Sequence, residues 1–156
     1  MEKLDKKDKK ILTVLENDAR ASVSEISRKT GLDRDLVHYR IQRLIKQKYI
    51  EFFHTSLDPI KLGFPIFSYV NFSLQNFDEE KEKRFYEKLV HNKNIIYVAK
   101  SSGKWDCIIA IAAKDLPHFD SIIKEVRREF SDIIKEFDVA SIIKQYKYDS
   151  FVDLIE

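Results

Sequence analysis

The sequence has too few residues of several types to build some common kinds of site. Its single cysteine excludes an intramolecular disulfide and a thiolate-rich metal centre. Glycine-rich phosphate loops are absent, and no Ser/His/Asp constellation stands out. We therefore expect no metal, no cofactor and no enzymatic activity. The histidines, which lack the paired spacing of metal ligands, are His38, His54, His91 and His118.

Long hydrophobic runs are missing as well. The longest wholly apolar run, from Cys107 to Ala113, has seven residues, whereas a membrane-spanning helix needs ~20. The opening residues, MEKLDKKDKK, are charged throughout and contain no apolar stretch of the kind found in secretion signals. We expect a cytoplasmic protein without a membrane segment.

Glycine is scarce, and its positions divide the chain. Average usage would give about eleven glycines, but only Gly31, Gly63 and Gly103 are present. The stretch from Leu57 to Pro65 combines Gly63 with two prolines and is the densest break in the pattern. It predicts a boundary between two domains, residues 1–63 and 64–156.

Charge is nearly balanced overall but unevenly distributed. Residues 1–56 carry 13 basic and 9 acidic side chains, whereas residues 57–156 carry 15 and 17. Five bases fall between Arg34 and Lys48, against a single acid. Such clustering favours a nucleic-acid-binding module joined to a second module. A solvated helix face is the alternative.

Residues 4–48 have the periodicity of three short helices. The second begins at a capping box that starts with Ser22, and it ends at Gly31, which can turn left-handed without strain. Asp33 then caps a longer third helix. This spacing is typical of a helix-turn-helix, whose second helix enters the major groove of DNA. Residues 49–57 are β-prone and could add the strand or hairpin of a winged variant.

The third helix has a polar face without glutamate. When Val37 faces the core, Arg43 and Lys46 point fully outward. Arg40 lies nearer the core, where it could reach a phosphate or pair with Asp8 of the first helix. The candidate DNA-binding residues are Arg34, Asp35, His38, Tyr39, Arg40, Gln42, Arg43 and Lys46.

After the break, strands alternate with helices. The order β-α-β-β-α-β predicts an α+β fold with a ferredoxin-like domain, in which one antiparallel sheet carries two helices on one face. Apolar residues on the other face imply a partner, so we expect a homodimer. The predicted elements are a strand within 66–74, a helix over 79–92, strands over 95–101 and 105–113, a helix from Asp115 to Phe130, and a β-rich stretch over 133–148.

Several motifs occur in order along nearly the whole chain. Those of the amino-terminal domain are LDKKDKKILTVLENDAR, Val37-x-x-Arg40-Ile41-x-x-Leu44, Leu57-Asp58-Pro59 and Leu62-Gly63. The carboxy-terminal domain contains Ser102-Gly103-Lys104-Trp105-Asp106. Together these motifs resemble the Lrp/AsnC family of transcription regulators, whose ligand-sensing domain has a Gly-x-x-Asp turn.

The resemblance implies a winged helix-turn-helix that reads DNA and a βαββαβ domain that dimerises through its sheet. It also implies assembly into tetramers or octamers, with a small effector, usually an amino acid, near the Gly-x-x-Asp turn. Trp105 could instead fill a dimer interface, and Asp106 could merely cap the hairpin. The candidate effector-binding residues are Ser101, Ser102, Gly103, Trp105 and Asp106.

Two other functions share parts of this architecture. Some proteins resembling the family are sirohaem decarboxylases with a His-Asn-Tyr type run, but the corresponding segment here, SSGKWDCII, has no histidine. An RNA-binding domain of this topology needs spaced aromatics on its third strand, whereas the strand is aliphatic after Trp105. We therefore predict a sequence-specific DNA-binding transcription regulator, with the decarboxylase as the alternative.

Overall fold

The computed structural model describes residues 3–76, 78–147 and 150–155, and the chain forms two compact units. The first contains the described residues before Leu57 and the C-terminal segment (described residues 146–147 and 150–155); the second runs from Leu57 to Gln145. The structure thus differs from the predicted division into 1–63 and 64–156. The reason for the difference at the end of the chain is that Glu16 and Lys9 of the first helix hold the C-terminal segment by hydrogen bonds.

The first unit is built from three helices with side-chain caps. Asp5, Ser22 and Asp33 each accept backbone N–H groups at the start of a helix, which satisfies donors that lack an intrahelical partner. The helix-turn-helix prediction is therefore confirmed. The helices are α1 at Lys6–Asn17, α2 at Val23–Thr30 and α3 at Arg34–Lys46. Their shared core contains Ile11, Leu15, Ile26 and Val37.

The predicted wing is not formed. Residues 49–57, all of them described, contain no strand and no hairpin. β-prone residues need a partner strand, and this segment contains no tight-turn sequence on which it could fold back. Phe52 and Phe53 are consequently exposed. Ile45, expected on the core side of the third helix, also has 37% of its surface exposed.

The second unit is a four-stranded antiparallel sheet with two helices, and it confirms the βαββαβ prediction. The elements are β1 at Ile66–Leu74, α4 at Glu79–His91, β2 at Ile95–Lys100, β3 at Cys107–Ala113, α5 at Leu116–Glu129 and β4 at Ile134–Ser141. The strand order is β2-β3-β1-β4, so β1 pairs with β3 on one side and β4 on the other. The last strand ends at Ser141, short of the predicted end at residue 148, which lies outside the described residues.

Both helices pack on the same face of the sheet. The ring of Phe85 on α4 meets Phe72 of β1 and Phe130 edge-on, with centroids 6.1 and 5.0 Å away, a favourable aromatic geometry. The opposite face is uncovered, and Tyr97 of β2 remains half exposed there. Within the described part of the chain, no helix is long and apolar enough to cross a membrane.

Candidate functional site

The turn between α2 and α3 fixes the direction of α3. Gly31 ends α2 in the left-handed region at φ +71°, which strains residues with a side chain. The Ser27 hydroxyl donates to the Leu32 carbonyl over 2.6 Å, and Ser27 O accepts the Gly31 N–H over 2.9 Å. The Asp33 carboxylate then accepts the Asp35 N–H over 2.8 Å. Side-chain and backbone bonds therefore define both ends of the turn.

One face of α3 is open to solvent and carries six of the eight candidate DNA-binding residues. Tyr39 is the most prominent, with 63% of its surface exposed. The face combines side-chain amide, imidazole, phenol and cationic groups, which can hydrogen-bond base edges and phosphates. Their contact with DNA stays a prediction. The six are Arg34, Asp35, His38, Tyr39, Gln42 and Lys46.

The remaining two candidates, Arg40 and Arg43, turn back towards α1. Arg40 Nη1 lies 2.8 Å from Asp5 Oδ2 and 2.9 Å from Asp8 Oδ1. Arg43 Nη2 lies 2.5 Å from Asp8 Oδ2. The prediction that Arg43 points fully outward is wrong, and of the two possibilities for Arg40 the structure shows the pairing with an acid of the first helix. Both guanidinium groups hold α3 against α1.

Asp8 is the functional side chain that the sequence reasoning underrated. It is fully buried, and it shares the inward stripe of α1 with Ile11 and Leu15. An acid on an apolar stripe was a usable signal, because buried carboxylates are almost always paired. From the sequence alone, Asp8 is identified only as a possible partner of Arg40.

Asp5 completes this cluster from the helix cap. Its carboxylate accepts the N–H groups of Lys7 and Asp8, and its own N–H donates to Asp8 Oδ2 over 3.1 Å. The Asp8 N–H, followed by the Arg40 guanidinium, lowers the pKa of Asp5 to about 2, although desolvation acts in the opposite direction. Asp5 therefore stays charged at neutral pH, as the ion pair requires.

The candidate effector residues lie in the hairpin between β2 and β3. The Ser101 hydroxyl donates to the Trp105 carbonyl over 2.7 Å, and the Ser101 N–H donates to Asp106 O over 2.9 Å. Gly103 is exposed at the tip with φ +129°. The Asp106 carboxylate accepts the Leu74 N–H over 2.7 Å, so it ties the hairpin to the end of β1. The structure thus gives the Asp106 carboxylate a structural contact with β1, outside the hairpin that it was expected to cap, while effector contact by any of these residues stays a prediction.

The sequence matches two family models that together cover both units. One is the AsnC-type helix-turn-helix domain, matched over residues 4–45, and the other is the Lrp/AsnC ligand binding domain, matched over residues 68–151. This chain belongs to the Lrp/AsnC family.

Relatives of this Lrp/AsnC protein are regulators of transcription. The HTH-type transcriptional regulator FL11 of Pyrococcus furiosus is 30% identical over 123 residues, which cover 79% of this chain and 80% of FL11. An AsnC family transcriptional regulator from Agrobacterium tumefaciens has a TM-score of 0.87 at 24% identity, with 98% of this chain and 100% of that chain covered. A regulator from Neisseria meningitidis, solved in complex with L-Met, has a TM-score of 0.84 at 17% identity, with 93% of both chains covered. These two structures share the fold.

The family assignment establishes the general function. This Lrp/AsnC protein is a DNA-binding transcriptional regulator with a ligand-binding domain. The three relatives named above are transcriptional regulators, which gives no support to the sirohaem-decarboxylase alternative. The first unit is therefore called the DNA-binding unit below, and the second the sheet unit.

The cysteine of this regulator, next to the hairpin, is not suited to act as a nucleophile. Cys107 begins β3 and is fully buried, and burial raises the pKa of its thiol to about 12. The neighbouring Tyr86 hydroxyl donates to Asp106 O over 3.2 Å. Desolvation raises the pKa of Tyr86 as well. Cys107 is therefore a small buried apolar side chain, and Tyr86 links α4 to the hairpin.

Two surface cavities of the sheet unit lie away from the hairpin tip. One, of about 380 Å³, is lined by α4 and α5 residues such as His91 and His118. The other, of about 460 Å³, lies between α4 and β2 and includes Tyr86 and Lys100. None of the five candidate effector residues lines either cavity. Neither cavity is therefore a place where a single chain could enclose an effector against the hairpin.

Proposed function

We propose that this regulator is a homodimer that reads specific DNA sequences with the exposed face of α3 and responds to an amino acid bound at the Gly103 hairpin. The observation that carries the proposal is that some side chains of α3 contact acids within the protein while others are exposed to solvent. Arg40 and Arg43 pair with acids of the first helix and its cap, whereas Tyr39 and Gln42 are exposed to solvent. A major groove accommodates an α-helix whose exposed side chains reach base edges. The regulator would act in the cytoplasm, where its DNA lies.

DNA reading is tested on an operator selected from random-sequence DNA with the purified protein. Gln42→Ala should lower affinity for the selected site by about 5- to 150-fold and relax the preference at one base pair, since a bidentate base contact is worth ~1–3 kcal/mol. Lys46→Ala should weaken all sequences alike, because a phosphate contact carries no sequence information. Lys93→Ala removes the same charge from the sheet unit and serves as the control. Unchanged specificity in Gln42→Ala would contradict the assignment.

Dimerisation is supported by the uncovered face of the sheet. Phe67, Tyr69 and Tyr97 form an aromatic group there, with centroids 5.5 and 6.2 Å apart, and Ala110 is buried beneath its cross-strand neighbours. A second copy would cover this surface. Tyr97→Asp should shift the mass measured by sedimentation towards the monomer, and the wild-type mass distinguishes a dimer from a tetramer or octamer. A monomeric wild type would exclude the assembly.

Effector binding is supported by the ligand-binding domain model and by the L-Met complex of the Neisseria regulator. Gly103 leaves the backbone open at the hairpin tip, and a Cβ there would meet nothing within 4 Å. Each of the twenty amino acids should be added in a thermal-unfolding assay, because a ligand present at 100 times its Kd stabilises the folded state by ~2.7 kcal/mol. Gly103→Val should abolish the response. A flat result with all twenty would contradict an amino-acid effector.

The proposal assigns no catalytic step to this regulator. The decarboxylase alternative predicts that added sirohaem changes its absorption spectrum in the presence of the protein. We expect no such change, since the hairpin segment has no histidine. A spectral change that accompanies turnover would reverse this conclusion.

A further inference from the structure

The C-terminal segment is bound to an outer flank of α1. Glu16 Oε1 accepts the Phe151 N–H over 2.8 Å and the Val152 N–H over 3.3 Å, and Glu16 Oε2 accepts the Ser150 hydroxyl over 3.2 Å. The side chain of Val152 is buried, with 7% of its surface exposed. One carboxylate and one apolar anchor therefore hold residues 150–152.

A second contact holds the segment at Ile155. Lys9 Nζ donates to the Ile155 carbonyl over 2.5 Å. Lys9 and Glu16 are seven positions apart, so they lie on one flank of α1, about 10 Å from each other along the axis. Residues near 150 meet Glu16 and residue 155 meets Lys9, so the segment runs antiparallel to α1. The three-helix core uses a different stripe of α1, that of Ile11 and Leu15.

The segment starts from a particular place in the sheet unit. β4 ends at Ser141, which pairs with Ser68 near the start of β1, and the Ile142 N–H donates to Phe67 O over 2.9 Å. The chain therefore enters the sheet at β1 and leaves it from β4 at the same end, on paired neighbouring strands. Each DNA-binding unit is thus attached by two chain connections that leave adjacent points of the sheet.

We propose that the C-terminal segment is a second tether that restricts the orientation of the DNA-binding unit, and that Lys9 and Glu16 are the side chains that bind it. This rests on the proposed reading of DNA by a dimer. Closing a second loop of chain removes conformations that a single linker would permit. In a dimer, two α3 helices held in this way lose less conformational entropy when they bind half-sites at one particular spacing. Half-sites at other spacings are therefore bound with lower affinity.

The first experiment measures the tether without DNA. Amide exchange of Phe151 and Val152 should be slow in the full chain and about three- to tenfold faster in Lys9→Ala and Glu16→Ala, as expected for losing a charge-assisted bond at an exposed site. Lys10→Ala removes the same charge one position along α1, where the side chain is exposed, and should leave both amides protected. Rapid exchange in the wild type, or equal effects of the two lysine variants, would overturn the proposal.

The second experiment measures what the tether does. Half-site spacing in the selected operator is lengthened by about half a helical turn of DNA, or 5 base pairs. We expect the wild type and Lys10→Ala to lose affinity at least tenfold more than Lys9→Ala, Glu16→Ala and a chain ending at Lys147. The point variants keep the test valid should the shortened chain fail to fold. Equal spacing dependence in all of them would overturn the tether, while operator binding itself would leave the proposed function standing.

Discussion

Replacing Asp8 by alanine should destabilise the DNA-binding unit strongly. The carboxylate is fully buried and accepts from Arg40 over 2.9 Å and from Arg43 over 2.5 Å. Its removal deprives two guanidinium groups, whose side chains are 13 and 15% exposed, of the buried carboxylate that they share. Deleting one member of a buried ion pair costs ~3–5 kcal/mol.

The lower end of that range applies here for two reasons. Arg40 retains Asp5 at 2.8 Å, and both guanidinium groups keep some access to water. We therefore expect a loss of about 3 kcal/mol in the free energy of unfolding. In a domain of this size each kcal/mol lowers Tm by ~4–8 °C, so the transition of the DNA-binding unit should fall by roughly 12–24 °C.

Amide exchange of Ile11 and Val37 isolates the unfolding of this unit from that of the sheet unit. Asp35→Ala, which removes an exposed acid from α3, is the control and should stay within ~0.5 kcal/mol of the wild type. Adding Arg43→Met to Asp8→Ala should recover part of the lost stability, since it removes a guanidinium that has lost its buried carboxylate. A loss below about 1 kcal/mol in Asp8→Ala would refute the reasoning and return both arginines to the list of DNA contacts.

Three further outcomes follow from single residues. The folded pKa of Asp5 is about 2, below its ordinary 3.8, so the stability it contributes is present above pH ~4 and is lost as the pH falls towards ~2; Asp5→Ala should remove this part of the acid-unfolding curve. Gly31→Val places a β-branched residue at φ +71°; it should cost the DNA-binding unit ~1–2 kcal/mol and weaken DNA binding, with the Tm of the sheet unit unchanged. Cys107 should react with a thiol reagent only at the rate of unfolding, and rapid labelling of the folded protein would contradict its burial.

Periodicity and capping chemistry predicted most of the fold, because both are local properties of the sequence. The helix that follows Gly31 and the βαββαβ order were predicted correctly on these grounds. The position of Arg43 was not, since a helical wheel gives only the direction in which a side chain leaves the helix. A guanidinium stands at the end of a flexible apolar stem and turns towards the nearest buried carboxylate, here that of Asp8.

The missing wing and the bound C-terminal segment have a common explanation. Residues 49–57 have β propensity, but propensity does not supply a partner strand. The C-terminal segment has little regular structure beyond a short 3-10 turn at Val152–Leu154, and its position depends on Lys9 and Glu16, more than 130 residues earlier in the chain. Effector contacts at Gly103 likewise cannot be predicted from the local sequence, since they would involve a separate molecule.

The ion pairs of α1 change the meaning of the positive charge on α3. Five bases fall between Arg34 and Lys48, which alone would favour general attraction to phosphates. Arg40 and Arg43 are compensated by acids of α1, so they add little to the field that DNA meets. On the open face, exposed Tyr39 and Gln42 stand beside the exposed cations Arg34 and Lys46. A helix on which two of the arginines are neutralised, and on which hydrogen-bonding side chains share the open face with the remaining cations, is suited to discriminating between base sequences as well as to binding phosphates.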